Sequence, residues 1–308
     1  MNRMRQALSD YLRLRRALGF KLREHGLLLP DFLDSLQRAG ATTITTELAV
    51  AWATAPVGVD PHRWQARLSL VRGFARYLQG LDPATQVPPV GLLASRAYRP
   101  IPDLYSDEQI SRLLVEADAL RPRLRAVTYR TLFGLLAATG MRVGEAIGLQ
   151  REDLDVNQGL LTVRQAKFGK SRQLPLQAST VDALVTYATG RDLLCPSPRA
   201  TTFFVSTAGT PLLYVSVRKV FIDLAQRAGL ESRAGARYPH LHGFRHTFTV
   251  QTLLTWHHQG ADVASRLPLL SAYLGHSHPA STYWYLQATP ELLAVAAQRL
   301  EQATGARS

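Results

Sequence analysis

Apolar residues along the first part of the chain recur every three or four positions, which is the spacing of amphipathic helices. The clearest stripe follows Asp60-Pro61, a pair that favours a helix start because Asp caps a helix and Pro suits its first turn. The arginines of that helix fall off its stripe, so they are expected on a basic surface that is either simply solvated or in contact with a partner. The predicted helices cover residues 4–18, 22–38 with a disturbance near Pro30, 47–54 with a cap at Thr45 or Thr46, and the stretch after Asp60, where the stripe is Trp64, Leu68, Val71, Ala75 and Leu78 and the arginines are Arg63, Arg67, Arg72 and Arg76.

The helical pattern stops between residues 81 and 103, where prolines interrupt it and basic residues lie between them. Such a composition favours an extended connection. We therefore predict an all-α N-terminal domain over residues 1–95, a linker over 96–103 and a second domain over 104–308. The interrupting residues are Pro83, Pro88, Pro89, Pro100 and Pro102, with Arg96 and Arg99 among them.

The second domain mixes helical periodicity with one short region of alternation. Residues 160–164 and 172–176 alternate as two strands, and residues 165–171 between them form a hairpin tip that carries two lysines. The chain is therefore predicted to be mainly α with a small antiparallel β-sheet in its C-terminal domain. Further helices are predicted after a cap at Ser106 and over residues 125–139, 215–228, 240–256, 263–275 and 291–302, with one more strand over 203–206.

Charge and composition narrow the class of partner. The 308 residues are enough for two domains with their own cores, and they carry a net charge of +13 with a pI near 10.3. This balance favours a polyanionic partner such as DNA. No apolar run approaches the roughly 20 residues that span a bilayer, and the first residues have the pattern of an amphipathic helix rather than a signal peptide. We expect a cytoplasmic protein without a membrane partner, and the single Cys195 excludes an internal disulfide.

Two distant stretches combine arginine, histidine and tyrosine in short contexts. Two guanidiniums can hold the non-bridging oxygens of a phosphodiester bidentately. A phenol, with a pKa of about 10, needs help to attack at neutral pH, and a histidine can move its proton. This inventory suits phosphoryl transfer by a tyrosine nucleophile. The stretches are Thr139-Gly140-Met141-Arg142-Val143-Gly144-Glu145 and, downstream, Leu241-His242-Gly243-Phe244-Arg245-His246 continuing through Leu274-Gly275-His276 to Tyr283-Trp284-Tyr285.

In this order the stretches resemble the tyrosine recombinase family, also called the phage integrase family. The family's pattern is an Arg in Thr-Gly-x-Arg-x-x-Glu, a Lys in a β-hairpin, His-x-x-Arg, a later Leu-Gly-His and a Tyr nine residues beyond that His. Arg142, His242, Arg245 and His276 match directly, and Tyr285 stands nine residues after His276. The resemblance covers roughly residues 104–290 and implies a helical core-binding domain followed by an integrase-type α+β catalytic domain.

What the resemblance implies is a site-specific recombinase that cuts and rejoins double-stranded DNA through a 3′-phosphotyrosyl link. It implies a homotetramer on DNA, a place on the nucleoid and no cofactor or metal, and it leaves other recombinases open as further partners. Integration, excision and transposition share these residues and are not told apart. In the implied roles Tyr285 attacks, Arg142 and Arg245 neutralise the phosphate, Lys167 protonates the leaving 5′ oxygen, His242 assists proton transfer at the tyrosine and His276 bonds a phosphate oxygen.

Spacing decides between neighbouring candidates. Lys167 fits the family's hairpin lysine better than Lys170, for which a phosphate contact is expected. Tyr285 fits the nucleophile better than Tyr283, which we interpret as a packing residue.

Two residues are expected to support the motifs. Glu145, three positions after Arg142, should orient its guanidinium, and Gly275 should let His276 approach closely. The segment around residues 257–261 is longer than is usual in the family.

Other classes remain as alternatives. The pairs His240-x-His242 and His276-x-His278 suggest a metal hydrolase, but residues two apart on a helix point in different directions. A type IB topoisomerase shares the chemistry, although the small helical N-terminal domain and the linker favour recombination. A non-enzymatic, integrase-like DNA-binding protein is the remaining alternative, and the complete residue set argues against it.

Overall fold

The computed structural model describes residues 2–93, 102–164, 171–231, 238–276, 278, 280–288 and 292–294. The chain forms two compact units, residues 1–99 and residues 100–308, and the division falls in the segment for which a linker is predicted. None of the helices in these described ranges is long and apolar enough to cross a membrane.

The described part of the first unit forms four helices between residues 2 and 79, as the periodicity predicts. Its third helix begins after Thr45, whose hydroxyl accepts a hydrogen bond from the Leu48 backbone N–H at 3.3 Å. Its fourth begins after Asp60, whose carboxylate accepts from the His62 N–H at 2.9 Å. These caps satisfy backbone donors that a helix start leaves unpaired. The helices are α1 (Asn2–Ala17), α2 (Arg23–Arg38), α3 (Thr46–Thr54) and α4 (Pro61–Gln79).

Two arginines of α4 do not lie on the basic surface expected for them. Arg72 is buried, and its guanidinium donates to the carbonyl oxygens of Pro88 at 2.7 Å and Pro89 at 2.8 Å. The guanidinium of Arg67 stacks on Trp52, 3.7 Å from the ring centre. The prediction is wrong for these two residues because the apolar stem of an arginine packs well while backbone carbonyls and rings satisfy its charged end.

The second unit is mainly helical around a small antiparallel sheet, which confirms the predicted fold class. Its first helix has a reciprocal cap: the Ser106 hydroxyl accepts from the Gln109 N–H at 3.2 Å, and the Gln109 side chain accepts from the Ser106 N–H at 3.0 Å. The sheet has the order β1-β2-β3. The elements are α5 (Asp107–Asp118), α6 (Arg123–Thr139), α7 (Val143–Ile147), a 3-10 turn (Arg151–Asp153), β1 (Leu154–Asp155), β2 (Leu160–Val163), β3 (Arg172–Pro175), α8 (Ala178–Leu194), α9 (Tyr214–Arg227), α10 (Gly243–His258), α11 (Val263–Leu274) and α12 (Ala280–Ala288).

The strand predicted over residues 203–206 does not form in this described segment. One-residue bridges join Gln150 to Thr202 and Val205 to Pro211 instead. Both phenylalanines of the run are buried, at 4% and 0% exposure, although neighbours in a strand point to opposite sides. The apolar run therefore reflects burial of an irregular segment in the core, which periodicity alone does not distinguish from a short strand.

Helix α10 begins three residues later than predicted. His242 directly precedes it with helical backbone angles (φ −68°, ψ −16°), so His242 and Arg245 still lie about one turn apart. The helix continues to His258, and the chain then turns at Gly260, whose φ is 68°. The segment around residues 257–261, which was expected to be longer than is usual in the family, is the end of α10 followed by a glycine turn.

The tail helix predicted over residues 291–302 lies outside the described residues except for 292–294. Those three residues are helical, and Leu292 is buried in the same apolar cluster as Val250, Leu267 and Tyr285. The described part of the tail therefore packs on its own C-terminal unit.

Candidate active site

The sharp turn that ends α6 places Arg142. Gly140 there has a left-handed φ of 59°, and a Cβ at this position would lie 2.7 Å from the Phe248 ring, so the turn requires glycine. Arg142 stands directly before α7. Its guanidinium donates to a Glu145 carboxylate oxygen at 2.8 Å and to the Gly275 carbonyl oxygen at 3.0 Å. The upstream motif is thereby joined to the turn that ends α11.

The carboxylate of Glu145 lies between two arginines. It accepts from the Arg142 backbone N–H at 3.0 Å and from the Arg172 guanidinium at 2.8 and 3.2 Å. Burial raises the pKa of Glu145, but the hydrogen bonds and charges of Arg172 and Arg142 outweigh it and hold that pKa below its usual value. Glu145 is therefore ionised at neutral pH and orients the Arg142 guanidinium, as expected from the spacing.

Arg172 opens β3 and was not predicted as a site residue. In addition to its pair with Glu145, its Nε donates to the Tyr273 carbonyl oxygen at 2.7 Å. Its guanidinium occupies the side of Gly275 where a side chain would stand, since a Cβ on Gly275 would lie 2.7 Å from Nη1. Gly275 was expected to let His276 approach closely. In the structure the missing side chain of Gly275 makes room for the guanidinium of Arg172.

The guanidinium of Arg245 is buried, with the whole residue 1% exposed. Its two Nη atoms donate to the carbonyl oxygens of Gly140 at 3.0 Å and Leu274 at 2.7 Å, and its Nε has no hydrogen-bond partner in the described part of the chain. Burial, and then the nearby charge of Arg142, lowers the pKa of Arg245 to about 10, so it stays protonated at neutral pH. A buried cation bonded to neutral carbonyls is one that an anion would stabilise.

The charges of this cluster do not balance. The contacts above bring together three guanidiniums, those of Arg142, Arg172 and Arg245, and one carboxylate, that of Glu145. The carboxylate pairs with Arg142 and Arg172, while Arg245 bonds to carbonyl oxygens. One negative charge offsets one of the positive charges, and two are left uncompensated. A phosphodiester brings one negative charge, and a second develops as a nucleophile adds to it, so the cluster matches the charge of the transition state.

The two predicted histidines lie in different environments. His276 follows the Gly275 turn, and its Nδ1 lies 2.8 Å from the hydroxyl of the buried Thr282. His242 is exposed, and its ring centre lies 4.6 Å from that of His246 in an edge-on contact. The turn that receives both arginines therefore also places His276, whereas His242 stands at the solvent edge.

The two tyrosines of α12 are in different environments. Tyr285 is 2% exposed, and its hydroxyl lies 2.8 Å from Nδ1 of His246. Tyr283 is 47% exposed, so its interpretation as a packing residue is wrong. Residues two apart on a helix do not share a face, and only one of the pair can point inward. His246 was not predicted as a site residue, although it directly follows Arg245 in the motif.

The predicted hairpin lysines, Lys167 and Lys170, lie outside the described residues. The flanking strands β2 and β3 pair with Val163 opposite Arg172. The last residue pair before the hairpin loop therefore includes Arg172, the arginine that bonds to Glu145. Lys167 stays a prediction from the resemblance. The only sequence feature that could have indicated Arg172 as a site residue is its position directly after the hairpin tip that carries the lysines.

We expect Gly275→Ala to destabilise the protein and to impair its chemistry. A left-handed conformation costs a non-glycine residue about 1–2 kcal/mol. In addition, the new Cβ would displace the Arg172 guanidinium, which three hydrogen bonds to Glu145 and Tyr273 hold in place. Gly260→Ala is the matched control, because Gly260 has a similar φ of 68° and nothing within 4 Å of its Cβ position.

Chemical denaturation measures the stability of the two variants, and covalent capture measures their chemistry. We expect both variants to be less stable than the parent protein. Only Gly275→Ala should also lose activity under conditions in which the variant is still folded. Equal behaviour of the two variants would show that the close approach of Arg172 has no role in the site.

The arrangement joins an anion-binding cluster to a tyrosine. Tyr285 is bonded to His246, the residue that directly follows Arg245 in α10, so the tyrosine hydroxyl meets the same end of the helix that carries the arginine. Guanidiniums that can hold a phosphate beside a tyrosine hydroxyl form the constellation that phosphoryl transfer to tyrosine needs. Among the described residues, no group of three or more His, Cys, Asp or Glu side chains is placed to hold a metal ion.

Comparisons with known proteins identify the family of the chain. The phage integrase family profile matches residues 104–291. The chain is 44% identical over 308 residues to the "Putative integrase/recombinase y4rB" of Sinorhizobium fredii, covering 98% of each chain. It is 32% identical over 248 residues to tyrosine recombinase XerD of Brucella suis, covering 77% of this chain and 75% of that one. The chain therefore belongs to the phage integrase family of tyrosine recombinases.

Solved structures support the fold. The integrase of transposon Tn1549, in complex with transposon right end DNA, matches with a TM-score of 0.68 at 18% identity, covering 96% of this chain and 99% of that one. A lambda integrase dimer bound to a core site matches with a TM-score of 0.62 at 18% identity, covering 91% of this chain and 76% of that one. At this level of identity the likeness concerns the architecture, which is the predicted integrase-type one.

Proposed function

We propose that this chain cleaves and rejoins double-stranded DNA at specific sites through a 3′-phosphotyrosyl intermediate on Tyr285. The observation that carries the proposal is the convergence of Arg142 and Arg245 on the turn that ends α11, with Tyr285 bonded to His246, the residue next to Arg245. The net charge of +13 supports a polyanionic partner. Membership of the tyrosine recombinase family agrees with the chemistry of the site.

In the first step the Tyr285 oxygen attacks the scissile phosphorus and the bond to the 5′ oxygen breaks. Arg142 and Arg245 hold the non-bridging oxygens and offset the charge that develops there. His276 donates a hydrogen bond to one of these oxygens, and Lys167 gives a proton to the leaving 5′ oxygen. His242, at the solvent edge beside His246, assists proton transfer at the tyrosine.

Reversal of this step by a 5′ hydroxyl from another duplex exchanges the strands. The phosphotyrosyl bond conserves the energy of the broken phosphodiester, so the protein's own residues suffice for rejoining. Exchange between two duplexes requires four cleavages, and we propose that four protomers assemble on DNA, with other recombinases as further candidate partners. We propose residues 1–95 as the core-binding domain, 96–103 as the linker and 104–308 as the catalytic domain, and the nucleoid as the place of action.

A nicked suicide duplex tests the proposal. The duplex carries the site recovered by sequencing the DNA that is bound to the protein in cells, with a nick placed so that the short cleaved strand diffuses away. Covalent capture, seen as a protein–DNA band that survives denaturation, supports a recombinase. Binding without capture would indicate an integrase-like DNA-binding module, and relaxation of supercoiled DNA without exchange between sites would indicate a topoisomerase.

Affinity for the duplex should fall steeply with salt. Each phosphate that the protein neutralises contributes roughly −0.9 to the slope of log K against log salt concentration. The first 100 residues carry a net charge of +7 and the remainder +6, so we expect both parts of the chain to contact phosphates. Fluorescence anisotropy at several salt concentrations measures the slope. A slope equivalent to only one or two contacts would contradict binding by both domains.

A further inference from the structure

The hydroxyl of Tyr285 lies 2.8 Å from Nδ1 of His246, a residue to which the family resemblance gives no role. Aromatic rings surround this imidazole: its centre is 5.5 Å from the Tyr285 ring, 5.9 Å from the Trp284 ring and 4.6 Å from the His242 ring. Tyr285 itself is 2% exposed, so the hydroxyl meets His246 within a packed environment.

The reaction requires a group in this position. The phenolic proton must leave as the Tyr285 oxygen bonds to phosphorus, because a phenol with a pKa of about 10 is almost wholly protonated at neutral pH. A general base must stand within hydrogen-bond reach of the proton that it removes. A neutral imidazole with its proton on Nε2 presents a lone pair at Nδ1, which is the atom that faces the tyrosine.

We propose that His246 is a catalytic residue of this recombinase, the proton acceptor for Tyr285. In the cleavage step the Oη–phosphorus bond forms, the proton of Oη passes to Nδ1 of His246, the phosphorus–O5′ bond breaks and O5′ takes a proton from Lys167. In rejoining, the 5′ hydroxyl attacks phosphorus and gives its proton to Lys167, the phosphorus–Oη bond breaks, and His246 returns its proton to Oη. This inference rests on the proposed function, in which Tyr285 is the nucleophile.

The geometry gives His242 a positioning role, whereas the resemblance implies that it assists proton transfer at the tyrosine directly. His242 lies directly before α10, where its ring contacts the ring of His246, and its backbone carbonyl accepts from the His246 N–H at 3.1 Å. It is therefore placed to position His246 and to act on the tyrosine through it. Removal of His242 should weaken proton transfer less than removal of His246 does.

The variant His246→Asn separates proton transfer from positioning. An Asn side chain can place a hydrogen-bond acceptor close to where Nδ1 stands, so it can hold the Tyr285 hydroxyl, but it cannot take the proton. General base catalysis contributes roughly 10²–10⁴-fold, and we expect a loss of cleavage rate in this range with DNA binding unchanged. His258→Asn, an exposed histidine at the far end of the same helix, is the control and should cleave like the parent protein.

Two chemical substitutions identify which proton transfer is lost. A fluorinated tyrosine at position 285 has a more acidic phenol and depends less on a base, so the ratio of parent to His246→Asn rates should shrink by roughly tenfold or more. A duplex with a 5′-bridging sulfur at the scissile phosphate has a leaving group that needs no proton donor. It should rescue a Lys167→Ala variant and leave the His246→Asn defect in place.

The outcomes separate this inference from the function on which it depends. If the parent protein forms no covalent adduct on the suicide duplex, the proposed function fails. If the parent forms the adduct and His246→Asn cleaves within a few-fold of it, the inference alone fails. The inference also fails if fluorotyrosine at position 285 leaves the ratio of parent to His246→Asn cleavage rates unchanged, because that result would indicate a positioning role for His246. It fails as well if fluorotyrosine restores cleavage to His242→Asn and not to His246→Asn.

Discussion

Tyr285→Phe is expected to abolish covalent capture of DNA while leaving DNA binding nearly intact. The substitution removes one hydroxyl, the atom that becomes bonded to phosphorus, and keeps the ring that packs in the cluster with Val250 and Leu267. The variant also loses its hydrogen bond to His246, and a buried donor or acceptor without its partner costs about 1–3 kcal/mol. Denaturing gels on the suicide duplex measure capture, and native gels measure binding.

Tyr283→Phe is the matched control, since it removes the same atom from a tyrosine two positions earlier in α12 that is 47% exposed. This variant should retain capture. Loss of capture in Tyr283→Phe together with capture by Tyr285→Phe would reverse the assignment of the nucleophile.

Arg245→Lys is expected to reduce cleavage by about 10²–10³-fold, the usual effect of removing a donor that stabilises developing charge. Lysine keeps the positive charge but not the planar fork, so it cannot bond the carbonyls of Gly140 and Leu274 and still hold a phosphate. Arg142→Lys should have a comparable effect because it breaks the contacts to Glu145 and Gly275. Single-turnover cleavage, measured beside binding affinity, separates the chemical step from loss of DNA.

Arg130→Lys controls for the exchange of arginine for lysine as such. Arg130 is exposed and pairs with Asp118 at 2.8 Å, away from the described site, and such surface pairs contribute little to stability. Its cleavage should match that of the parent protein. Cleavage by Arg245→Lys within a few-fold of the parent would show that Arg245 does not contact the scissile phosphate.

Local signals explain how much of the fold was predictable. The helix starts at Thr45, Asp60 and Ser106 were correct because a capping side chain bonds backbone groups within a few residues of itself. Periodicity was less informative where burial is complete, as in the irregular segment at 203–206. The burial of Arg72 could not be predicted either, because its partners Pro88 and Pro89 lie on a later segment whose path the local sequence does not determine.

In the candidate site, too, the features that depend on local sequence were predictable and those that depend on long-range packing were not. The motifs identified Arg142, Arg245 and Tyr285 as residues that could act together, and Glu145 as the partner of Arg142. The two unpredicted residues make their contacts over long distances in sequence: Arg172 pairs with a residue 27 positions away, and His246 with one 39 positions away. Such contacts depend on how β3, α10 and α12 pack, which no spacing rule in a single sequence encodes.

Peptide mapping of the captured adduct shows directly whether Tyr285 becomes joined to the 3′ end of cleaved DNA. The adduct on the suicide duplex is digested with nuclease and protease, and mass spectrometry locates the residual nucleotide. We expect one modified peptide, containing residues 280–288, with a 3′-linked nucleotide on Tyr285. A nucleotide on Tyr283 or on any other residue, or a 5′ linkage, would overturn the proposed 3′-phosphotyrosyl link at Tyr285.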